Sequence, residues 1–434
     1  MNTNERKVAW LASLSHAFNH GYMTLLPAVL VVLAGDQSLG FFALGAIINV
    51  GYCLFGVGSI PAGIMADRLG AKKMLILGLW GMAVSAILVG ISPGSWSFGF
   101  AYALLGLTAS IYHPSGLSLI AHHIAKKGKA LGLHGILGNL GLSLAPLFAG
   151  TMVMLFDTWR AAYIAFGILG LIFAFIVQKT VIEGESDWSR ADLAEILSWR
   201  PFRFLANTNG ALSTDVPTVQ PDIQAAKLGI PFGLIVLYGG SILFGFIYRG
   251  SLTFFPALFQ QEINFVSAAD QPVMVAGMLT SAILTLGIFG QWLGGYLSDR
   301  ARRPELVHIG IYLIIIPAVY YISRYTNTPL IAASIAFTLV FYGWQPIQNS
   351  LIASYTAKRS YGKGYGWNFF FIMGMGSVAT LVGGYIADRE GVDRVYLLLA
   401  VLSVVGLIVS ILAYTLRYRA DIARVDGRLA KGDN

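Results

Sequence analysis

Apolar residues run through this chain in long blocks, not in the short alternations of a water-facing fold. Blocks near or above the roughly 20 residues that cross about 30 Å of hydrocarbon recur at residues 10–33, 41–66, 74–91, 98–122, 130–153, 160–180, 233–259, 272–297, 306–323, 329–354, 364–386 and 395–416. A segment dissolved in lipid has no water to satisfy its backbone, so each block predicts a membrane-spanning helix. The first block has no small-residue cleavage site and contains Pro27, which predicts a retained helix and not a removed leader. The expected fold class is an all-α membrane protein with 12 transmembrane helices.

Polar sequence interrupts this pattern at length only between Val181 and Gly229. The expected domains are a six-helix bundle at 1–182, a linker at 183–229, a second six-helix bundle at 230–420 and a tail at 421–434. Within the linker, Asp187–Phe204 mixes Trp, Leu and Ile with Arg and Asp, the make-up of a helix lying on a membrane surface. Asn207–Asp222, with Pro217 and Pro221, reads as flexible linker.

The two bundles repeat one another. Tyr112-His113-Pro114 followed by Ser118-Leu119-Ile120-Ala121 matches Trp344-Gln345-Pro346 followed by Ser350-Leu351-Ile352-Ala353, 232 positions later. Gly63 to Arg68 matches Gly295 to Arg300 at the same offset, and Thr24 to Ala28 matches Thr253 to Ala257 at 229. Parallel six-helix repeats are the architecture of alternating-access carriers, with the binding site between them near the midplane.

Composition narrows the class further. Apolar residues make up 56% and charged residues 12%, too little charge to cover a soluble surface. The net charge of +8 would suit nucleic acid, but its placement argues otherwise. With both termini cytoplasmic, 24 of the 29 Lys and Arg residues fall on the cytoplasmic side, as the positive-inside rule requires. The basic balance therefore sets topology, and no nucleic-acid partner is expected. The single Cys53 permits no internal disulfide and reads as a small packing residue.

None of the 21 Asp and Glu residues lies within an apolar block. Histidines and one arginine do: His16 and His20 in the first, His113 in the fourth, Arg249 in the seventh, with Asn139 in the fifth. A charge at the bilayer centre costs roughly 2.5–3.5 kcal/mol on insertion scales, so such residues mark a site. A basic interior without carboxylates predicts neutral or anionic cargo. His20 lies ten residues past Trp10, about 15 Å deep. Arg249 precedes Pro256 by seven residues as His20 precedes Pro27, which places the two opposite one another across the pseudo-two-fold axis. The expected substrate-binding residues are His16, Asn19, His20, Asn49, Tyr112, His113, Asn139, Arg249, Trp344 and Gln345. Tyr22, Tyr52, Gln348, Asn349, Trp367 and Asn368 are further candidates for the cavity wall. His20 and His113 are the expected proton-coupling groups, because imidazole alone titrates near neutral pH without perturbation. His134 reads as a satisfied interhelical group, and His122, His123 and His308 as solvated at cytoplasmic helix ends. His16 and His20, four apart, could share a metal ion, but with no Cys, Asp or Glu nearby no metal site is expected. No cofactor is expected. Nor is an enzyme: the chain offers neither a nucleophile nor a carboxylate set at the interface, and no Gly-rich phosphate loop.

Gly63-x-x-Ala66-Asp67-Arg68-x-Gly70-x-Lys72-Lys73 resembles the signature of the major facilitator superfamily between its second and third helices. The resemblance implies a conformational latch at Gly63, Asp67, Arg68 and Gly70, repeated more loosely at Asp299 and Arg300. Span five, with Gly132, Gly135, Gly138, Gly141 and Ala145-Pro146, is similar to the Gly-Pro motif of the superfamily's drug–proton antiporters. Leu14-Ser15-His16-x-x-Asn19, His113-Pro114 and Gly138-Asn139-x-Gly141 resemble the fosmidomycin-resistance exporters more narrowly. Two carboxylates of that group are replaced, by His20 and Ser115, which leaves histidine as the proton carrier. The likeness implies a monomeric carrier in a bacterial inner membrane that exports a small anionic or amphipathic, phosphonate-like compound. Uptake of a metabolite, a metal complex or a siderophore through the same fold is the alternative.

Overall fold

The computed structural model describes residues 1–37, 39–124, 127–186, 188–190, 192, 230–355 and 367–429. Among these, 12 helices are long and apolar enough to cross a membrane. Spans one to six are Thr3–Asp36, Phe41–Ala66, Ala71–Gly90, Ser95–Ile120, Gly132–Phe156 and Trp159–Lys179. Spans seven to twelve are Phe232–Glu262, Pro272–Ser298, Pro304–Ile322, Asn327–Ile352, Trp367–Glu390 and Val392–Tyr418. Short connections separate the spans within each half, and local chemistry sets several ends. Thr158 caps span six by accepting from the Arg160 N–H at 3.3 Å, and Pro272 and Pro304 stand in the first turns of spans eight and nine. The surface helix expected at Asp187–Phe204 and the linker at Asn207–Asp222 fall outside the described residues, apart from residues 188–190 and 192.

Three spans expected as continuous helices are broken: span eight into Pro272–Thr285 and Gly287–Arg300, and spans four and ten at matching places. Span four divides into Ser95–Ala109 and Tyr112–His123, and span ten into Asn327–Phe341 and Trp344–Tyr355. The cause is the proline of the repeated motif. Pro114 and Pro346 lack the N–H that would bond the carbonyls of Ser110 and Tyr342, four residues back, and their rings crowd those carbonyls. The freed Ser110 carbonyl instead accepts from Ser59 Oγ of span two at 3.3 Å. Non-helical backbone survives at membrane depth only where protein covers it in this way. The breaks aim the residues just beyond them, His113 and Gln345, away from the helix axis line. Span eleven carries a π-helical turn at Phe370–Met375, another local departure often found at functional sites.

The halves meet along three pairs: spans one and seven, two and eleven, five and eight. Gly45 lies on the Thr380 carbonyl and Gly277 on that of Pro146, so close that neither site has room for a Cβ. Hydrogen bonds join the halves from the face opposite the termini down to mid-depth. Asp388 accepts from the Phe41 and Phe42 N–H groups at 2.6 and 2.7 Å, capping span two from span eleven. Thr380 Oγ1 donates to Gly45, Asn49 Nδ2 to Ser377 Oγ (both 3.0 Å), and Ser281 Oγ accepts from the Leu147 N–H. These bonds hold the two halves together on the side away from the termini.

On the opposite face, Gly70 turns the chain between spans two and three at φ +105°, in the left-handed region that favours glycine. Gly63 faces Pro114, Arg68 is exposed, and Arg300 covers the Tyr296 ring at 3.9 Å. The side chains of Asp67 and Asp299 lie outside the described residues. Glu185 accepts from the Lys72 N–H at 3.3 Å and pairs with His123 at 2.9 Å, so that histidine is tied down and not free in solvent. Lys73 bonds Asp192 at 2.9 Å and, with Ser189, holds the Asp192 carboxyl down at about 2.

Candidate functional site

Spans one, four and five bring four imidazoles together. His16 and His20 share a face one turn apart, and the break in span four turns His113 toward them. The ring centroids of His16 lie 4.5 Å from His20 and 5.1 Å from His113, and His20 lies 5.6 Å from His113. His134 of span five stacks on His16 at 3.9 Å, with 18° between the planes. Sequence alone gave His134 a packing role. Its position under the cluster became visible only when span five was seen to lie against span one.

The hydrogen bonds assign the proton positions. Tyr112 Oη donates to the Ala12 carbonyl at 2.5 Å, so His134 Nε2–H must donate to Tyr112 Oη at 2.8 Å. His16 Nδ1–H donates to the His134 carbonyl at 2.8 Å, which leaves His16 Nε2 as an acceptor. His20 Nε2–H points at that lone pair, 2.9 Å away. His113 Nε2 is buried with no hydrogen-bond partner.

Arg249 faces this cluster from span seven and is 1% exposed. Its guanidinium lies over the Tyr52 ring at 3.7 Å and near the Tyr248 ring at 5.0 Å, and Nη2 rests against the Met373 sulfur. Nε has no partner, and among the described residues no carboxylate pairs with the group. Tyr52 belongs to the N-terminal half, so the Arg249 stack crosses between the bundles. Phe55, three residues further along span two, touches His113 at 5.6 Å between centroids, and Phe369 of span eleven stacks on the same imidazole at 5.6 Å. Span two therefore touches the arginine through Tyr52 and a histidine of the cluster through Phe55. His20 and His113 both lie within electrostatic reach of Arg249.

Other expected site residues are elsewhere. Asn19 is fully buried inside the first bundle, donating to the Ala109 carbonyl at 2.9 Å. Asn49 bridges spans two and eleven, and Asn139 donates to Gln291 Oε1 of span eight at 2.6 Å, joining the halves beside the cluster. Gln345 is half-buried at the break in span ten. Trp344 lies in the core of the second bundle, between Phe244 at 4.1 Å and His308 at 4.9 Å. His308 is not solvated as its position near a helix end suggested: it is 4% exposed, and its Nε2 meets the Trp344 carbonyl at 3.2 Å. Gln348 and Asn368 satisfy one another through Ser241. Cys53, expected to pack, is exposed on the bundle surface. A cleft of about 390 Å³ lined by Arg6, Lys7 and Trp10 lies at the face bearing the termini, remote from the imidazoles, and has no buried unpaired charge to satisfy.

Comparison with known proteins agrees with this fold. Residues 10–380 match the family model of the Major Facilitator Superfamily. The D-galactonate transporter of Escherichia coli O6:H1 is 23% identical over 374 residues, covering 81% of this chain and 82% of that protein. The fosmidomycin resistance protein of Escherichia coli K12 is 21% identical over 403 residues, covering 91% of this chain and 90% of that protein. A bacterial homologue of the human lysosomal transporter Spinster, solved in an inward-facing and occupied conformation, superposes with a TM-score of 0.74 over 97% of this chain and 99% of that one, at 15% identity.

Proposed function

The chain belongs to the major facilitator superfamily, and from that membership we propose that this secondary transporter carries a small organic anion, a carboxylate or phosphonate, on Arg249. One observation carries the proposal: a guanidinium 1% exposed at membrane depth with no carboxylate beside it among the described residues. The desolvation cost is roughly 2.5–3.5 kcal/mol on insertion scales. The Tyr52 and Tyr248 rings return about 0.5–2 kcal/mol by cation–π attraction, which is too little to make the site self-sufficient. An anion with two oxygens would meet the planar donor fork and the orphaned Nε together. The half-buried His113, whose Nε2 has no partner, would supply a further N–H donor to it. Both a galactonate and a fosmidomycin-type compound are small acids, so the two relatives accord with the same cargo class.

Export across a bacterial inner membrane is the proposed direction, on the strength of the motifs shared with the fosmidomycin-resistance exporters. Alternating access would then part Asp388 from the start of span two. A thermal-shift panel of carboxylates and phosphonates on the purified full chain tests the cargo class, with Arg249→Gln as control. An anion at 100 times its Kd should stabilise the native protein by about 2.7 kcal/mol and leave the variant unmoved. Equal stabilisation of both proteins would overturn the role of Arg249. Flux in proteoliposomes of known orientation reads the direction, and an imposed pH gradient in the same assay reads whether a proton is coupled.

A further inference from the structure

We propose that His16, His20 and His113 bind a borderline divalent transition-metal ion of the Zn²⁺, Co²⁺ or Ni²⁺ type, and that the cargo anion on Arg249 is a ligand of that metal. The anion half of this statement rests on the function proposed above; the metal half stands on the histidines alone. The sequence argued against a metal because two imidazoles without a thiolate or carboxylate make a poor cage. The break in span four supplies a third imidazole, and one ligand atom from each of the three lies within 4.8 Å of the others.

Three features distinguish this cluster from histidines packed for their own sake. First, His16 Nδ1–H donates to the His134 carbonyl at 2.8 Å, which fixes the tautomer and leaves the Nε2 lone pair pointing inward. A backbone carbonyl on the remote nitrogen is the usual outer-shell support of a metal-bound histidine. Second, His113 Nε2 is buried without a hydrogen-bond partner, a cost that a packing cluster would have removed and a metal would remove. Third, His20 Nε2 lies 2.9 Å from His16 Nε2, a little inside the spacing of two tetrahedral ligands, so the pair need only part slightly to share one metal. Bonds of roughly 2.0–2.1 Å hold tetrahedral ligands roughly 3.3 Å apart, so His113 must close by roughly 1.5 Å at most, within the reach of ring rotation. On binding, the His20 proton moves from Nε2 to Nδ1, and no proton leaves the protein. Three neutral nitrogens with an open position suit zinc-like ions and not the oxygen-seeking Mg²⁺ or Ca²⁺.

The guanidinium decides the form of the cargo. A bare dication on the histidines would meet a second positive charge at Arg249, which reaches the same span-two face through Tyr52, with no carboxylate among the described residues to offset either. A metal that brings its own anionic chelator resolves this. Imidazoles take the ion, and the guanidinium takes the carboxylate or phosphonate that remains outside the coordination sphere. The substrate class is then the complex of a divalent transition metal with a small organic acid.

The test uses the full chain purified through a tag that contains no histidine, with Co²⁺ as probe and citrate as the chelating acid. Equilibrium dialysis and the visible absorption of Co²⁺ should give one bound ion per chain. The Co²⁺ Kd should rise at least tenfold in His20→Asn and in His113→Ala, two variants whose folding is checked by thermal unfolding, and stay unchanged in the buried control His308→Gln. Citrate should tighten Co²⁺ binding at least tenfold in the native chain and have no such effect in Arg249→Gln, which still binds Co²⁺ alone. Substoichiometric Co²⁺, or binding undiminished in folded His20→Asn and His113→Ala, overturns the metal site while leaving anion binding by Arg249 open to the thermal-shift panel. A citrate gain that persists in Arg249→Gln overturns the arginine's part instead.

Discussion

Seven residues before the shared proline, the first half carries His20 and the second Arg249; at the two matching helix breaks the pairs are His113 with Gln345 and Tyr112 with Trp344. The backbone treats these positions alike. Both breaks arise from a proline four residues past the freed carbonyl. The chemistry differs. In the first half Tyr112 hydroxyl fixes His134, His134 carbonyl fixes His16, and His16 takes up the His20 proton, so the polar groups support one another toward the interior. In the second half Trp344 stacks on Phe244 and His308, and the amides of Gln348 and Asn368 close on Ser241, while Arg249 stacks on Tyr52 of the partner bundle. Repetition fixes where a site can be built; the divergence within each repeat fixes what it binds.

The largest expected effect separates scaffold from site. Trp344→Ala should cost about 3–5 kcal/mol of stability, as truncation of a buried aromatic does, and the surviving folded protein should keep its anion response. Arg249→Gln should do the reverse, losing the anion response with little loss of stability. Thermal unfolding with and without anion reads both quantities in one experiment. A Trp344→Ala protein that is folded and blind to anions would move the tryptophan into the site and break the contrast between the halves.

Tyr52 is the point where the contrast can be sharpened, because it is a first-half residue that holds the second half's charge. Tyr52→Leu keeps the apolar bulk, removes the ring face under Arg249 and also removes the hydrogen bond from Tyr52 Oη to the Met23 carbonyl. The cation–π share is about 0.5–2 kcal/mol, so the anion Kd should weaken by roughly 2- to 30-fold. Tyr52→Phe, which keeps the ring and loses only the hydroxyl, should change the Kd by less than the Leu variant. Equal effects from both would assign the role to the hydroxyl, against the stacking account.

Much of this was legible in the sequence, and for identifiable reasons. Lipid leaves a spanning backbone no partner but itself, so the 12 helices were written in the apolar blocks. The breaks in spans four and ten were also present, in Pro114 and Pro346, though the apolar pattern runs straight through both and hides them. The Tyr52 stack was not legible, because periodicity says which residues share a helix face and not which face meets the other bundle. His308 misled for a related reason. It lies four residues into span nine, shallow along the helix, but the second helix of span ten lies across it and buries it laterally. His113 was named for its motif, yet its approach to His16 depends on a change of chain direction that no spacing rule reports.

The smallest expected effect tests the rim on which the termini lie, where the halves again differ. The second half ties its rim with Glu305, 1% exposed, to Arg417 at 2.9 Å, whereas the first relies on Lys73 and the more accessible Asp192. Hydrogen bonding to Lys73 and Ser189 holds the Asp192 carboxyl at about 2, below the 3.8 of a free aspartate. A lowered pKa means that the native state binds its proton less readily than the unfolded chain. The stabilisation is therefore complete above about pH 4 and fades as pH falls through about 2. Asp192→Asn should lower the unfolding temperature slightly, by an amount constant from pH 5 to pH 8, that shrinks only in strong acid. A difference that changes between pH 5 and pH 8 would show that Asp192 titrates there, and that the Lys73 contact does not hold it ionised.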